Sequence, residues 1–313
     1  MTEPLKNSAQ EVRRGSSAWK RSLELPNLSM FKEAIHIEHR PELTNPLFIV
    51  GFDGWGNALD VSRGMADYLI RKLNAQRFGE INPDLFYRFD EVRPVVEIDK
   101  GLLIKLSPPG GTLYATKPGE VNRDLIILKA NEPQLCWFRF VDAILSVCRD
   151  AGVKTIVSLG SMYDHVLHTD SIISALASSG ELLFELESSG VNAITYQGPS
   201  GIHSTIHSLA KEQGFECVSF WCHCPHYLQG TTHFGLLSRL GKILSSWGGF
   251  ELNTEDLEVT WKTLGEQIQG LIDNNPELQT MIEDLRKAKV KGSWNEPRKH
   301  DKVIRLEDFM KPR

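Results

Sequence analysis

Apolar residues follow two patterns along the chain, and the patterns alternate. Short apolar runs have the length of buried strands, at residues 47–52, 124–128, 153–159 and 217–221. Apolar residues at helical spacing fill the intervals and predict helices at 61–73, 135–148, 176–186, 202–213 and 231–247. Strands that alternate with helices are typical of a three-layer α/β fold, with a mixed, mostly parallel sheet and helices on both faces.

The stretch from Ala193 to Tyr227 carries the strongest fold signal. Residues 193–196 are predicted to form a short buried strand, and 198–201 have turn composition. A helix and the strand at 217–221 follow. This order predicts a parallel strand, helix, strand unit.

Two further patterns complete the predicted architecture. Residues 95–98 and 102–106 alternate around Asp99-Lys100-Gly101, which predicts a β-hairpin, and residues 29–38 could form a short helix or an edge strand. Capping signals begin helices at 254–274 and 276–289, which predicts a C-terminal helical hairpin.

The predicted organisation has four parts. A polar N-terminal tail at 1–30 precedes an α/β domain at 31–250, a helical extension at 251–290 and a charged flexible tail at 291–313. The last part is poor in apolar residues, so we expect it to be mobile until something binds it.

Composition narrows the function classes. The chain has 313 residues, 41% of them apolar, and a net charge of -5, which gives no global basic field for nucleic acid. It has no apolar run near the roughly 18 residues that span a bilayer and no apolar signal-peptide core, so we expect no membrane partner and a cytoplasmic location. Its five cysteines are sparse, which favours reduced thiols.

Four short motifs occur in order between the predicted elements. They are Gly51–Asn57 (GFDGWGN), Asn131–Trp137 (NEPQLCW), Gly198–Gly201 (GPSG) and Pro225–Tyr227 (PHY). Together they make residues 46–247 resemble the PAC2 family, the proteins similar to the second proteasome assembly chaperone. The resemblance implies a nucleoside-phosphorylase-like fold, a homo-oligomer that is commonly a trimer, and a protein partner. It implies no cofactor and no metal.

Two departures from the family pattern limit what the resemblance transfers. Relatives tend to carry Pro-His-Thr-Arg-Pro in a loop where this chain has Leu167, His168, Thr169 and Asp170. Asp170 would repel an anion that an arginine would bind. The chain ends in Met310-Lys311-Pro312-Arg313, without the hydrophobic-Tyr-any motif of proteasome-docking relatives, so a proteasome role does not follow directly.

Trp55 and Asn57 are the first candidate site residues. They follow a buried strand at the carboxyl edge of the sheet, where open α/β sheets bind ligands, so we expect a pocket or interface position. The alternative is structural, with three glycines forming a tight turn and Trp55 plugging the edge of the core.

Ser200 and Gly201 are the second candidates, because they begin a predicted helix whose free amides could bind a phosphate or carboxylate. The alternative is that Ser200 only caps the helix. This turn carries no Lys-Ser or Lys-Thr pair, which excludes a nucleotide P-loop here.

Pro225, His226 and Tyr227 form the third candidate group, a fixed turn at a strand end. If the strand order is typical of the family, this turn lies near Ser200 and the loop of His168 and Thr169. Such a cluster could bind a small molecule.

A zinc site is the sharpest competing interpretation of the region after residue 216. It contains cysteines and histidines at positions 217, 222, 223, 224, 226 and 233. Cys222 and Cys224 have one intervening residue, whereas structural zinc sites use two pairs with two to four intervening residues, so we predict no metal site.

Two functions remain open. The first is a non-catalytic, oligomeric scaffold or assembly chaperone, favoured because the motifs contain no complete catalytic set. The second is an enzyme or ligand-binding protein for a nucleoside-like or carboxylate-bearing molecule, with Ser200 as the anion binder and His168 or His226 as general acid or base.

Overall fold

The structure is a computed structural model that describes residues 34–119 and 123–291 and a short strand at 304–305. The predicted tail at 1–30 and nearly all of the tail at 291–313 lie outside the described residues.

The strands of the described residues are mostly short and are spread over the whole length of the chain. In chain order they are Ile35–Ile37 (β1), Leu47–Asp53 (β2), Gln76–Ile81 (β3), Val95–Asp99 (β4), Leu102–Ser107 (β5), Gly111–Thr116 (β6), Leu125–Asn131 (β7), Thr155–Asp164 (β8), Ile173–Ala177 (β9), Asn192–Ala193 (β10), Glu216–Pro225 (β11), Leu228–Gln229 (β12) and Ile304–Arg305 (β13).

The helices pack around the strands. They are Val61–Lys72 (α1), Pro83–Phe86 (α2), Trp137–Asp150 (α3), Gly180–Ser188 (α4), Ile202–Glu212 (α5), Phe234–Gly248 (α6), Glu255–Asp273 (α7) and Pro276–Lys291 (α8). No helix of the described part is long and apolar enough to cross a membrane.

Nine strands form one mixed sheet, in the order β1-β3-β6-β7-β2-β8-β11-β9-β10. The central strands β7, β2, β8 and β11 are parallel, and the strands that flank this group, β6 and β9, pair with it antiparallel. Residues 47–52 of β2 are buried throughout, as a continuous apolar run in the middle of a sheet predicts. At one edge of the sheet, residues 35–37 form a strand. An edge strand was one of the two alternatives predicted for residues 29–38.

Each face of the sheet carries its own apolar core. On one face, residues of α1, α6 and α7 pack with alternate side chains of the sheet, among them Met65, Leu240 and Ile268. On the other face, α3 and α5 contribute Phe140, Ile144 and Ile206. The predicted three-layer α/β class is therefore confirmed, and so are the C-terminal helices α7 and α8.

The predicted helix at 176–186 began too early. Leu176 belongs to β9, in which Ile173 and Ala175 are buried against α4 and Leu176 faces outward. The helix begins after Ser179, whose Oγ accepts a hydrogen bond from the amide of Leu182. A five-residue strand with a period of two is too short to separate clearly from a helix start in sequence.

The predicted parallel unit across 193–221 was wrong. The strand β10 has only two residues, both exposed, and Tyr196 is also exposed. The antiparallel strand β9 lies between β10 and β11, and the parallel neighbour of β11 is β8. Strand order is set by pairings distant in sequence, which the local pattern of 193–221 does not contain.

The predicted hairpin is confirmed as β4 and β5. Lys100 and Gly101 occupy the turn with φ values of 47° and 82°, the left-handed backbone that tight hairpin turns require. The two strands pair with each other and, within the described residues, with no third strand.

Candidate functional site

Three of the four sequence motifs meet at one cavity of about 650 Å³ at the carboxyl edge of the sheet. Trp55 comes from the loop after β2, Glu132 and Trp137 come from the segment between β7 and α3, and Ser200 and Gly201 precede α5. The sequence predicted Trp55, Ser200 and Gly201 as site residues, and the structure brings these three together.

Glu132 organises this cavity, and it was not among the predicted site residues. Its Oε2 accepts a hydrogen bond from the amide of Trp55 at 2.9 Å, and its Oε1 accepts one from the amide of Ile202, also at 2.9 Å. The carboxylate thus lies at the N-terminus of α5, where the helix dipole favours negative charge. The chain itself supplies the anion that the Ser200 hypothesis assigned to a ligand.

Gly201 is required by this arrangement. A Cβ at this position would lie 3.0 Å from Glu132 Oε1 and 3.3 Å from Trp55 Cε3. A larger residue would therefore displace the carboxylate from the start of the helix. Ser200 itself is exposed at the rim of the cavity.

Trp55 does not plug the core. Its side chain is 60% exposed, and its ring meets the edge of Trp221 at a centroid distance of 6.2 Å. Trp221 in turn packs on the buried ring of His203 at 4.9 Å. The exposed indole is therefore held from one side, and its free face is available to a ligand or a partner.

His203 supports the loop that carries Trp55. Its Nε2 lies 2.8 Å from the carbonyl oxygen of Leu159, and a Cβ on Gly56 would lie 2.7 Å from its Cε1. Burial lowers the pKa of His203, so the ring is neutral at pH 7. The sequence offered only one signal for this residue, a histidine just after the GPSG motif.

Asn57 has a different environment from Trp55. Its Oδ1 accepts from the amide of Arg63 at 3.1 Å, and its Nδ2 donates to Asp53 and Asp60, at 3.2 Å each. Arg63 also pairs with Asp53 at 2.9 Å. Asn57 therefore fixes the backbone between β2 and α1, and it does not line the cavity.

The remaining predicted site residues form a second cluster. The hydroxyl of Tyr227 accepts from the amide of His168 at 2.7 Å and lies 2.8 Å from its Nδ1, and both side chains are buried. Burial lowers the pKa of His168. His226 lies beside His165 at a ring distance of 4.8 Å.

The other members of this cluster differ in burial and in hydrogen bonding. Pro225 is buried at the end of β11, whereas Thr169 is exposed. Asp170, which replaces the arginine of relatives, accepts from the amide of Leu167 at 3.0 Å and so closes its own loop. Ser200 lies in the other group, at the cavity of Trp55.

The cysteines after residue 216 are buried. Burial raises the pKa of Cys217 to about 12 and raises those of Cys222 and Cys224 further, so the thiols stay protonated at pH 7. Among the described residues, no group of three or more His, Cys, Asp and Glu side chains has an arrangement that could hold a metal ion.

The region that carries the motifs also matches a known protein family. The sequence profile of the PAC2 family matches residues 48–272. No curated protein matches the chain.

Solved structures share the fold. A proteasome-assembly chaperone homologue from Mycobacterium tuberculosis is 25% identical, with a TM-score of 0.66, and the match covers 75% of this chain and 99% of that one. A PAC2 family protein from Streptomyces avermitilis is 24% identical, with a TM-score of 0.65 and coverages of 76% and 99%. A Mycobacterium tuberculosis protein of unknown function is 20% identical, with a TM-score of 0.75 and coverages of 83% and 92%.

Proposed function

Because the chain belongs to the PAC2 family, we propose that it is an assembly scaffold or chaperone that binds a protein partner. We propose that the exposed hairpin of β4 and β5 is the binding element. The similarity to a proteasome-assembly chaperone homologue supports this class of function.

The observation that carries the proposal is an amphipathic hairpin with an uncovered apolar face. Cross-strand pairing sets Val96 opposite Leu106 and Ile98 opposite Leu103, and these four side chains are 51–62% exposed. On the other face, Glu97 stands opposite Lys105, and mixed pairs flank them, Val95 with Ser107 and Asp99 with Leu102. The arrangement is that of a sheet made to bury one face, although no other described strand or helix covers it.

An apolar face of this kind favours a protein partner. Exposed contiguous apolar surface on a water-soluble fold marks an interaction site more often than an inert surface. The hairpin also offers two free strand edges, which can pair with an extended segment of a partner. Both features act without a catalytic group.

Self-association is the second part of the proposal. The apolar face of the hairpin can pack against a different surface of the next copy, and a head-to-tail contact of this kind closes a ring of copies while it removes the face from water. We propose a homo-oligomer, with a trimer as the state implied by the family resemblance. Proteasome subunits are the first partner class to test, because of the similarity to the proteasome-assembly chaperone homologue.

Native mass spectrometry of the purified protein tests the oligomer. We expect a trimer for the wild type and monomers for the double variant Ile98→Glu, Leu103→Lys, with unchanged circular dichroism. The matched control exchanges the charges on the polar face, Glu97→Lys with Lys105→Glu, and should remain trimeric. If the double variant stays trimeric, the hairpin is not part of the oligomer interface.

Binding is tested separately with the immobilised chain and proteasome subunits of the same organism. We expect the wild type and the charge-exchanged control to retain these subunits and the apolar-face double variant to lose them. Equal retention by all three proteins would contradict binding through the hairpin. Retention by none would contradict the proposed partner class.

A further inference from the structure

Three side chains from three neighbouring strands form a hydrogen-bonded series on one face of the sheet. His223 of β11 lies with its Nδ1 2.7 Å from Asp164 Oδ2 and its Nε2 2.8 Å from Ser174 Oγ. Asp164 is at the end of β8, and Ser174 is in β9. None of the four sequence motifs contains Asp164, Ser174 or His223.

The hydrogen bonds orient each group for one role. Asp164 Oδ1 accepts the amide of His165 at 2.7 Å, which holds the carboxylate towards the imidazole. The hydrogen bond from His223 is the largest cause that lowers the pKa of Asp164, so this carboxyl is ionised at pH 7. A carboxylate on Nδ1 favours the tautomer with a proton there, which leaves Nε2 free to accept the hydroxyl proton of Ser174.

Ser174 is buried next to an exposed part of the same strand face. The helix α5 covers the part of this face formed by β8 and β11, where Ile206 packs with Ile156 and Cys217. The helix α4, next to β9 and β10, packs on the opposite face through Leu186. Ser174 is 6% exposed, but Leu176, two residues along the same strand face, is 39% exposed.

A hydrogen-bond donor stands next to Ser174 in the sheet. Asn192 stands opposite Ser174 in the β9–β10 register and is exposed. Trp221 stands opposite Ser174 in the β9–β11 register, but its ring lies over Gly160 of β8 and packs on His203. Partners in register present their side chains to the same face of a sheet, so the amide of Asn192 belongs to the face of Ser174.

We propose that Ser174, His223 and Asp164 form a nucleophile, base and carboxylate series that hydrolyses carboxylic esters with a short apolar acyl group. Asn192 donates to the oxyanion, and Leu176 contacts the acyl chain. This activity is additional to the protein-binding function, and it departs from the expectation of a non-catalytic scaffold.

The reaction balances with water as the second substrate. Ser174 Oγ forms a bond to the carbonyl carbon while its proton moves to His223 Nε2, and this proton then leaves with the alcohol as the ester C–O bond breaks. Water next attacks the acyl carbon and gives a proton to Nε2. The C–Oγ bond breaks, the carboxylic acid departs, and the proton returns to Oγ. Asp164 stabilises the imidazolium in both halves.

A fluorophosphonate probe tests the nucleophile on the unmodified full chain. Its phosphorus reacts with an activated serine and releases fluoride, so we expect one adduct per chain in the intact mass and assignment of that adduct to Ser174 by peptide mass spectrometry. Hydrolysis of 4-nitrophenyl butyrate, followed by 4-nitrophenolate absorbance, tests turnover.

Variants separate the roles. Ser174→Ala should lose both the adduct and turnover, Asp164→Asn should lower kcat by roughly 10³–10⁴-fold, and Asn192→Ala should lower it by roughly 10²–10³-fold. Ser246→Ala, an exposed helical serine that donates to the carbonyl of Lys242, is the matched control and should equal the wild type.

The wild-type labelling decides the question even if a variant fails to fold. An adduct at another serine, or none on folded wild-type protein, would overturn the proposal. Equal turnover by the wild type and folded Ser174→Ala would do the same. Adduct at Ser174 with turnover that depends on Asp164 would support it.

Discussion

A single carboxylate joins separate motifs of this chain. Glu132 belongs to the second motif, and its two oxygens accept the amides of Trp55, in the first motif, and Ile202, directly after the third. Each amide would otherwise lack a partner at a loop or a helix start. The arrangement explains why these motifs occur together and why an external anion is not needed at α5.

Replacing Glu132 should measurably destabilise the fold. Glu132→Ala removes the acceptor of both amides, so we expect the free energy of unfolding to fall by about 2 kcal/mol. Glu132→Gln keeps one acceptor oxygen and should lose about half as much. Guanidinium unfolding followed by circular dichroism measures this. Glu212→Ala, an exposed change at the other end of α5, is the control, and a loss equal to that of Glu132→Ala would contradict the role.

At the scale of elements, a histidine connects the sheet domain to the C-terminal helices. His233 begins α6 by accepting the amide of Leu236 at its Nδ1, at 3.1 Å, and its ring stacks on Trp261 of α7 at 4.0 Å. Its Nε2 is buried and has no partner among the described atoms. Burial lowers the pKa of His233 to about 3.

This histidine should make stability fall in mild acid. Its pKa is about 6.5 in the unfolded chain and about 3 in the folded one, so between these values the unfolded state binds more protons. The contribution of neutral His233 to the free energy of unfolding is fully present above pH 6.5. It decreases towards pH 3, by up to about 1.4 kcal/mol per pH unit.

Chemical unfolding at pH 7.5, 6.5, 5.5 and 4.5 measures this dependence. His233→Asn keeps a capping side chain without the titration, and it should lose less stability across this range than the wild type. Buried His168, His203 and His207, whose pKa values are also lowered, contribute equally to both proteins. His36→Asn, at an exposed strand residue, should follow the wild type, and parallel curves for all three would refute the assignment.

At the scale of the whole molecule, the C-terminal helices complete the core of the sheet domain. Leu257, Leu264, Ile268 and Ile272 of α7 are buried in the same apolar cluster as Met65 of α1 and the inner residues of α6. The predicted boundary near residue 250 therefore divides the sequence, whereas the apolar packing continues across it. We propose that 251–290 folds only together with the sheet domain.

Truncation tests whether the C-terminal helices and the sheet domain fold as one unit. A chain that ends at Gly249 exposes the surface that α7 covers, and the four buried α7 side chains alone correspond to about 6 kcal/mol or more, comparable to the stability of a whole domain. We expect aggregation or loss of a cooperative thermal transition by calorimetry. A chain that ends at Lys291 should keep one transition. Two independent transitions in the full chain would show separate domains.

Local patterns predicted those parts of the fold that are determined by nearby residues. The strand β2 and the helix α1 were predicted because a buried strand needs a continuous apolar run and a half-buried helix needs an apolar stripe. The hairpin was predicted because Asp99-Lys100-Gly101 suits its turn. Of the site, Trp55, Ser200 and Gly201 were predicted to lie at the carboxyl edge, and the structure places them at one cavity.

The sequence by itself determined the fold class, most of the helices and the family, since periodicity and short motifs are written in consecutive residues. Only the tertiary structure decided that β9 lies between β11 and β10, that Glu132 bridges two loops, and that Asp164, Ser174 and His223 meet. The hydrogen bonds of Glu132 and His223 join residues 49 to 77 positions apart. Pairing across the sheet selects them, and no local pattern records which distant strand becomes the neighbour.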